Sequence, residues 1–194
     1  AIAPVVRNWV QGRQANWALV SDMLNMEADR QAHVENLVGL AQSGGYPGLV
    51  IDYQDVPAED REVYANFVTE LGVALHAEDL WLAVVVDAPQ QGADGSWATE
   101  GYDWARLGAA VDQLRVVMPL DPMAYTPGGE VEQMLTWATS QVQRYKLMPI
   151  YSTLSTDGEE VMTFDEVLSP LGDLKVRETI TESVEPGTAL NFQL

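Results

Sequence analysis

Short apolar runs alternate with longer amphipathic stretches over the first 151 residues, the pattern of a parallel sheet built from strand–helix units. The runs Ile2 to Trp9, Gly48 to Tyr53, Leu80 to Asp87, Gln113 to Leu120 and Lys146 to Tyr151 read as strands. Between the first two, Ala28, Ala32, Leu37, Val38 and Ala41 recur near helical spacing from Glu27 to Gln42, and Ser43-Gly44-Gly45 closes that helix with residues that tolerate left-handed backbone. A second helix follows Asp55, a candidate N-cap. Pro57 sits in its first turn, Glu59 and Asp60 favour its positive end, and Tyr64, Phe67, Val68, Leu71 and Leu75 form its buried stripe. Further helices run from about Tyr102 to Ala110 and from about Val131 to Gln143.

After Tyr151 the rhythm changes. Asp157-Gly158 signals a hairpin, Thr163 to Leu168 a short helix capped by Thr163, and Leu174 to Ile180 and Ala189 to Leu194 antiparallel strands around Pro186-Gly187. No repeat or low-complexity linker divides the chain, so residues 1–151 form the strand–helix portion and 152–194 an α+β insertion-like segment of the same domain. Five strands are too few for a closed eight-stranded barrel, which takes about 250 residues. Two architectures remain, a small open α/β sheet and a partial (β/α)8 barrel. The apolar final run Ala189 to Leu194 points to the partial barrel, or to pairing with another chain; the start at Ala1 points to a processed or excised end.

Composition narrows the partners. Of 194 residues 47% are apolar, enough for a core. Ten Lys plus Arg against 29 Asp plus Glu give a net charge of −19, which repels phosphate backbones and anionic lipid. Nucleic-acid binding and membrane insertion are therefore not expected, and no run approaches the roughly 20 apolar residues of a membrane span. The absence of Cys removes disulfides, thiolate nucleophiles and Cys-based metal sites. His33 and His76 stand alone, Glu59-Asp60 and Glu159-Glu160 read as solvated faces, and the glycines make no phosphate-cradling motif, so neither metal nor cofactor is expected.

The segment Tyr46-Pro47-Gly48-Leu49-Val50-Ile51-Asp52-Tyr53-Gln54-Asp55-Val56-Pro57 is the most informative. A buried strand ends in a carboxylate, an aromatic and an amide, at the end where ligands collect in parallel α/β folds. Alternation sets Asp52 and Gln54 on one side and Tyr53 on the other. This segment resembles the fourth-strand motif Asp-Gly-Val-Asn-Ile-Asp-Phe-Glu of glycoside hydrolase family 18, the chitinase-like barrels, in particular the spore-cortex and peptidoglycan-lytic branch. Gly48, Ile51 and Asp52 match, Tyr53 replaces Phe, and Val56-Pro57-Ala58-Glu59-Asp60-Arg61 with Tyr64 and Phe67 matches the branch's following helix. Leu82 to Asp87 resembles the fifth strand, Tyr102-Asp103-Trp104 to Val111 the helix after it, and Val116-Val117-Met118-Pro119-Leu120-Asp121 the sixth strand with its Met-x-Tyr-Asp motif.

What the resemblance implies is altered by its departures. The family's general acid is the Glu that closes the fourth-strand motif; Gln54 stands there, and an amide has no proton to give near neutral pH. Pro47, Val50 and Leu120 replace other motif positions, while Asp52, Met118 and Asp121 match. Family 18 hydrolysis is substrate-assisted, with the sugar's 2-acetamido oxygen attacking the anomeric carbon. Without the acid, about 10²–10⁴ in rate is lost. The expectation is a catalytically degenerate module with Asp52, Gln54 and Asp121 at the former catalytic positions, in an extracellular or cell-surface bacterial protein, binding an N-acetylglucosamine-containing glycan or serving a structural role. Asp52, Gln54, Met118 and Asp121 are the candidate contacts, with Trp9 and Trp97 as sugar-stacking rings among six Trp. The alternatives are an active glycosidase on chitin- or peptidoglycan-type polymers, and an assembly module completed by a partner chain or the remaining barrel segments. Asp55 as replacement acid is disfavoured by its direction and by its expected helix-capping role.

Overall fold

The computed structural model describes residues 2–10, 14–152, 154–156 and 161–163. In chain order these form β1 (Val5–Arg7), α1 (Ala18–Asn25), α2 (Glu27–Gly44), β2 (Gly48–Asp52), α3 (Arg61–His76), β3 (Trp81–Asp87), β4 (Gln90–Gln91), β5 (Trp97–Ala98), α4 (Trp104–Ala110), β6 (Gln113–Val117), α5 (Glu130–Gln141), β7 (Leu147–Ile150), β8 (Leu154–Thr156) and β9 (Val161–Thr163). Strands β1, β2, β3, β6 and β7 make one sheet in that order. Every neighbouring pair is parallel. They are the five expected strands, each trimmed at one or both ends.

Strand order follows chain order with no reversal, so the sheet lacks the switch point of a doubly wound fold, and right-handed crossovers put the connecting helices on one face. That is an arc of a (β/α)8 barrel, which decides between the two architectures. Leu49, Ile51 and Tyr53, Leu82, Val84 and Val86, and Leu114 and Val116 face the helices and share one core with Tyr64, Phe67, Leu71, Leu75 and Leu107. The alternate residues Val50, Ala83 and Val85 form a second, smaller cluster against Trp81. On that second face Val5 and Met148 are 44% exposed and Val117 and Ile150 36%. It is the lumen side of the arc, and it is thinly covered.

Helix α3 buries the whole expected stripe, Tyr64, Phe67, Val68, Leu71 and Leu75. Arg30 of α2 grips Glu70 of α3 through Nε and Nη2, at 2.9 and 3.0 Å. Gly45, at φ 62°, ends α2 in the left-handed conformation foreseen for the Ser43-Gly44-Gly45 stop. Several expectations need correction. Ala28 and Ala32 are exposed, while the expected Leu37 and Ala41 are buried together with Val34 on the side that packs against α1 and α3. Helix α1 was not foreseen; at eight residues, with Val20 and Leu24 buried, it offers too little periodicity to read. Asp55 is no N-cap. It sits in a left-handed turn at φ 57°, Pro57 after it is extended, and α3 is entered through a 3-10 turn at Ala58–Asp60 without a side-chain cap. The Gln90 to Glu100 segment folds as a small antiparallel hairpin, β4 against β5. Antiparallel pairing of β8 with β9 brackets Asp157-Gly158, and Thr163 is the last residue of β9. The remaining expectations after Thr163 lie outside the described residues.

Candidate functional site

The lumen face changes character towards the carboxyl ends of the strands. Val50 and Ala83 are apolar, and beyond them β1 and β2 end in paired polar residues. Register sets Arg7 opposite Asp52, and Arg7 Nε donates to Asp52 Oδ2 at 2.7 Å. Asp52 is buried, its side chain 6% exposed against 44% for Arg7. The other oxygen, Oδ1, accepts from Gln54 Nε2 at 3.0 Å, so Asp52 and Gln54 do share a side. Tyr53 turns the opposite way, stacking on Phe67 and bonding His33 Nε2 through its hydroxyl at 2.7 Å. Burial raises the Tyr53 phenol and lowers the His33 imidazole, so both are neutral near pH 7.

The loop that carries Gln54 is held on three sides. Asn8, buried at the end of β1, donates from Nδ2 to Gln54 O at 2.9 Å and accepts from Gln54 N through Oδ1 at 3.0 Å. The Tyr102 hydroxyl donates to Tyr53 O at 3.0 Å, and Gly101 N donates to Val56 O at 3.0 Å. A Cβ on Gly101 would lie 2.4 Å from Val56 Cγ1, so only glycine permits this approach. Arg61 Nη2 donates to Thr99 Oγ1 at 2.9 Å and to Glu100 O, fastening the segment before α4 to the start of α3. Gln54 is thus set on rigid backbone, with its amide aligned by Asp52.

Sequence reasoning passed over three members of this edge. Arg7 and Asn8 lie in an apolar strand whose pairing could not be foreseen, although a basic and an amide residue closing a strand is a usable signal. Asp87 was seen only as the end of β3. Continuing the β2–β3 register, in which Ile51 pairs with Val84, brings Asp87 level with Gln54 on the lumen side. Burial first, then the charges of Asp55 and Asp52, push the Asp87 carboxyl above its ordinary range; the residue is open to solvent, which screens part of that effect.

The other candidates are placed apart. Trp9 joins the edge, because the Arg7 guanidinium lies over its ring at 4.4 Å. Met118 is buried in the helix-side core. Asp121 is exposed and caps a 3-10 turn, accepting from Met123 N at 2.8 Å. Trp97, in β5, packs on Trp137 of α5, which tilts against Trp104 of α4, so it serves the helix side of the sheet. Two surface hollows lined by described residues lie away from this edge. Each is of about 380 Å³, one among α3 and α4 around His76 and Arg106, the other beside Trp97 and Gln133. The edge itself is marked by its hydrogen-bond network. Among the described residues no group of His, Asp and Glu is arranged to hold a metal, and no helix is long and apolar enough to cross a membrane.

No family model matches the chain. Among curated proteins it is 28% identical over 143 residues to a Bacillus subtilis protein named provisionally as the sporulation-specific glycosylase YdhD, a match that covers 69% of this chain and 33% of that one. It is 27% identical over 137 residues to a cortical fragment-lytic enzyme of Bacillus anthracis, covering 67% and 31%. Among solved structures it superimposes on a class V chitinase of Pseudomonas fluorescens Pf-5 with a TM-score of 0.71 at 25% identity, over 87% of this chain and 56% of that one. The chain spans about a third of the length of the curated relatives it matches.

Proposed function

We propose, from the premise that the chain is a relative of the chitinase-like glycosidases of glycoside hydrolase family 18, that it is a glycan-binding module for N-acetylglucosamine-containing polymers, with an amide in place of the family's general acid. The observation that carries this reading is the Gln54 bond to Asp52. A carboxamide there has no proton to donate near neutral pH, and its Nε2 is turned to a carboxylate held from the far side by Arg7. Amides and carboxylates on rigid backbone suit the hydroxyl and acetamido groups of a sugar. Asp52 and Gln54 are the proposed contacts, with Trp9 as the ring on which a pyranose face lies. Met118, Asp121 and Trp97 are left out, since each is engaged in packing or capping. Chitin- or peptidoglycan-type glycans outside the bacterial cell are the proposed targets, a reading supported by the names of the relatives.

The test is calorimetric titration of the full chain with N-acetylglucosamine oligomers and pull-down on insoluble peptidoglycan. Wild type should bind and Asp52→Ala should lose at least tenfold in affinity. Equal affinity of the two would overturn the reading. A second reading, assembly with a partner that completes the barrel, is favoured by the outer edges of β1 and β7, which no strand among the described residues pairs, and by the exposed Val5, Val117, Met148 and Ile150 of the lumen face. A sedimentation mass above that of one chain would support it, and a strict monomer would count against self-assembly.

A further inference from the structure

Among the described residues four carboxyls belong to the candidate set or neighbour it, and two of them, Asp52 and Asp121, are occupied. Asp52 is bound on both oxygens, by Arg7 and by Gln54. Asp55 follows Gln54 in an exposed left-handed turn beyond the end of β2, and its charge acts on Asp87. Asp121 is spent as a cap on Met123 N. The fourth is Asp87. It closes β3 on the lumen side, and continuing the β2–β3 register beyond its last pair, Ile51 with Val84, brings it level with Gln54. Among the described residues no hydrogen bond or ion pair engages its carboxyl. Its other strand neighbour, Val117 of β6, is apolar and part exposed, so the space above the edge is open to a ligand.

We propose that Asp87 is the proton donor that Gln54 cannot be, so that this chain hydrolyses N-acetylglucosamine oligomers slowly from a carboxyl on the neighbouring strand. The proposal rests on the reading that a glycan lies along this edge. In the first step the Asp87 proton passes to the glycosidic oxygen, the bond from the anomeric carbon to that oxygen breaks with its electron pair going to the oxygen, and the sugar's own acetamido oxygen bonds to the anomeric carbon. In the second, water adds to that carbon, its proton returns to the Asp87 carboxylate, and the acetamido bond opens. No oxidant or further reactant enters. The groups around Asp87 suit the role. Asp52 and Asp55 raise its proton affinity after burial does so, the nearby Tyr102 phenol is itself held neutral, and the cations on this face, Arg7 and Arg115, are turned to Asp52 and to Gln113.

The experiment incubates the full chain with the N-acetylglucosamine hexamer, measuring affinity by calorimetry and products by mass spectrometry in the same preparation. Wild type should bind and release shortened oligomers, at a rate that falls as pH rises and Asp87 deprotonates. Asp87→Asn, checked for an unchanged circular dichroism spectrum, should bind within about threefold of wild type but cleave about 10²-fold more slowly or worse. The double variant Asp87→Asn, Gln54→Glu should recover cleavage, because a carboxyl returns to the neighbouring position. Binding without any cleavage by wild type, or wild-type cleavage by Asp87→Asn, would overturn the role of Asp87 and leave glycan binding standing. Failure of wild type to bind would overturn both.

Discussion

The Arg7–Asp52 pair makes an asymmetric prediction. Removing one partner of a buried ion pair costs about 3–5 kcal/mol, because the other is left buried and unpaired, whereas exposed pairs are worth about 0–1 kcal/mol. This pair stands between those limits, with Asp52 6% and Arg7 44% exposed. In Arg7→Met the Asp52 carboxylate stays buried with only the Gln54 amide as donor, and the contact of Arg7 with the Trp9 ring, worth about 0.5–1 kcal/mol at an exposed site, is lost as well. A cost of about 2–3 kcal/mol is expected. In Asp52→Asn the side-chain oxygen still accepts from Gln54 and Arg7 turns to solvent, so about 1 kcal/mol or less is expected. The double variant removes the orphaned charge and should cost about 1 kcal/mol less than the sum of the single effects. Urea unfolding followed by circular dichroism, with the slope m unchanged, gives all three values. If Arg7→Met proves no more costly than Asp52→Asn, or if the two effects simply add, Asp52 is not the buried, dependent partner described above.

Three further predictions concern the scaffold. Gly48→Ala would set a Cβ 2.2 Å from Trp81 O, in the backbone to which β2 pairs, so a loss of about 1–3 kcal/mol is expected in thermal unfolding; tolerance would mean a looser β2–β3 register. Asp60 accepts from Trp17 Nε1 at 2.6 Å and from Ser21 Oγ at 3.1 Å, so Asp60→Ala should speed amide hydrogen exchange across α1 and leave α3 protected. Burial lowers the His33 imidazole, so the unfolded chain binds more protons as pH falls through about 6.5. Stability should therefore decline over that interval, and His33→Gln should flatten the slope of the urea midpoint against pH. An unchanged slope would show that His33 is not the group responsible.

The parts of the fold that the sequence made legible are those where one force dominates. Strand β2 is buried at every position, and α3 carries seven buried residues at helical spacing, so the apolar pattern alone locates both. Asp55 misled because its type matches an N-cap, while it sits in a left-handed turn and the chain reaches α3 through an extended Pro57 and a 3-10 turn. Ala28 and Ala32 misled because alanine fits a helix on either face, and only the packing of α1 and α3 decides which is buried. For the site, Asp52 and Gln54 were legible from alternation. Arg7, Asn8 and Asp87 were not, because each acquires its meaning only from the register of a neighbouring strand.

That register explains why the candidate edge exists at all. On the helix side, residues 49, 51 and 53, 82, 84 and 86, and 114, 116 and 118 are apolar or aromatic, since each must fill the common core. The lumen side is free of that demand at its carboxyl end, and there the residues become Arg7, Asp52, Gln54 and Asp87. A module kept only for its shape gains nothing from a buried charge pair, which apolar residues of similar volume replace at little or no cost. Four bonds on the backbone of the Gln54 segment and two on Asp52 hold these polar groups at fixed positions, the arrangement that recognition of a ligand requires and stability does not. Arg7→Met and Asp87→Asn therefore probe different properties of one edge. The first removes the partner that makes Asp52 tolerable inside the protein, and its effect should appear in unfolding. The second removes a carboxyl whose raised proton affinity means that its charge is unfavourable in the folded state, so at neutral pH Asp87→Asn should leave stability unchanged or slightly higher while abolishing whatever cleavage the chain performs. A variant that is more stable and less active identifies a residue held for chemistry.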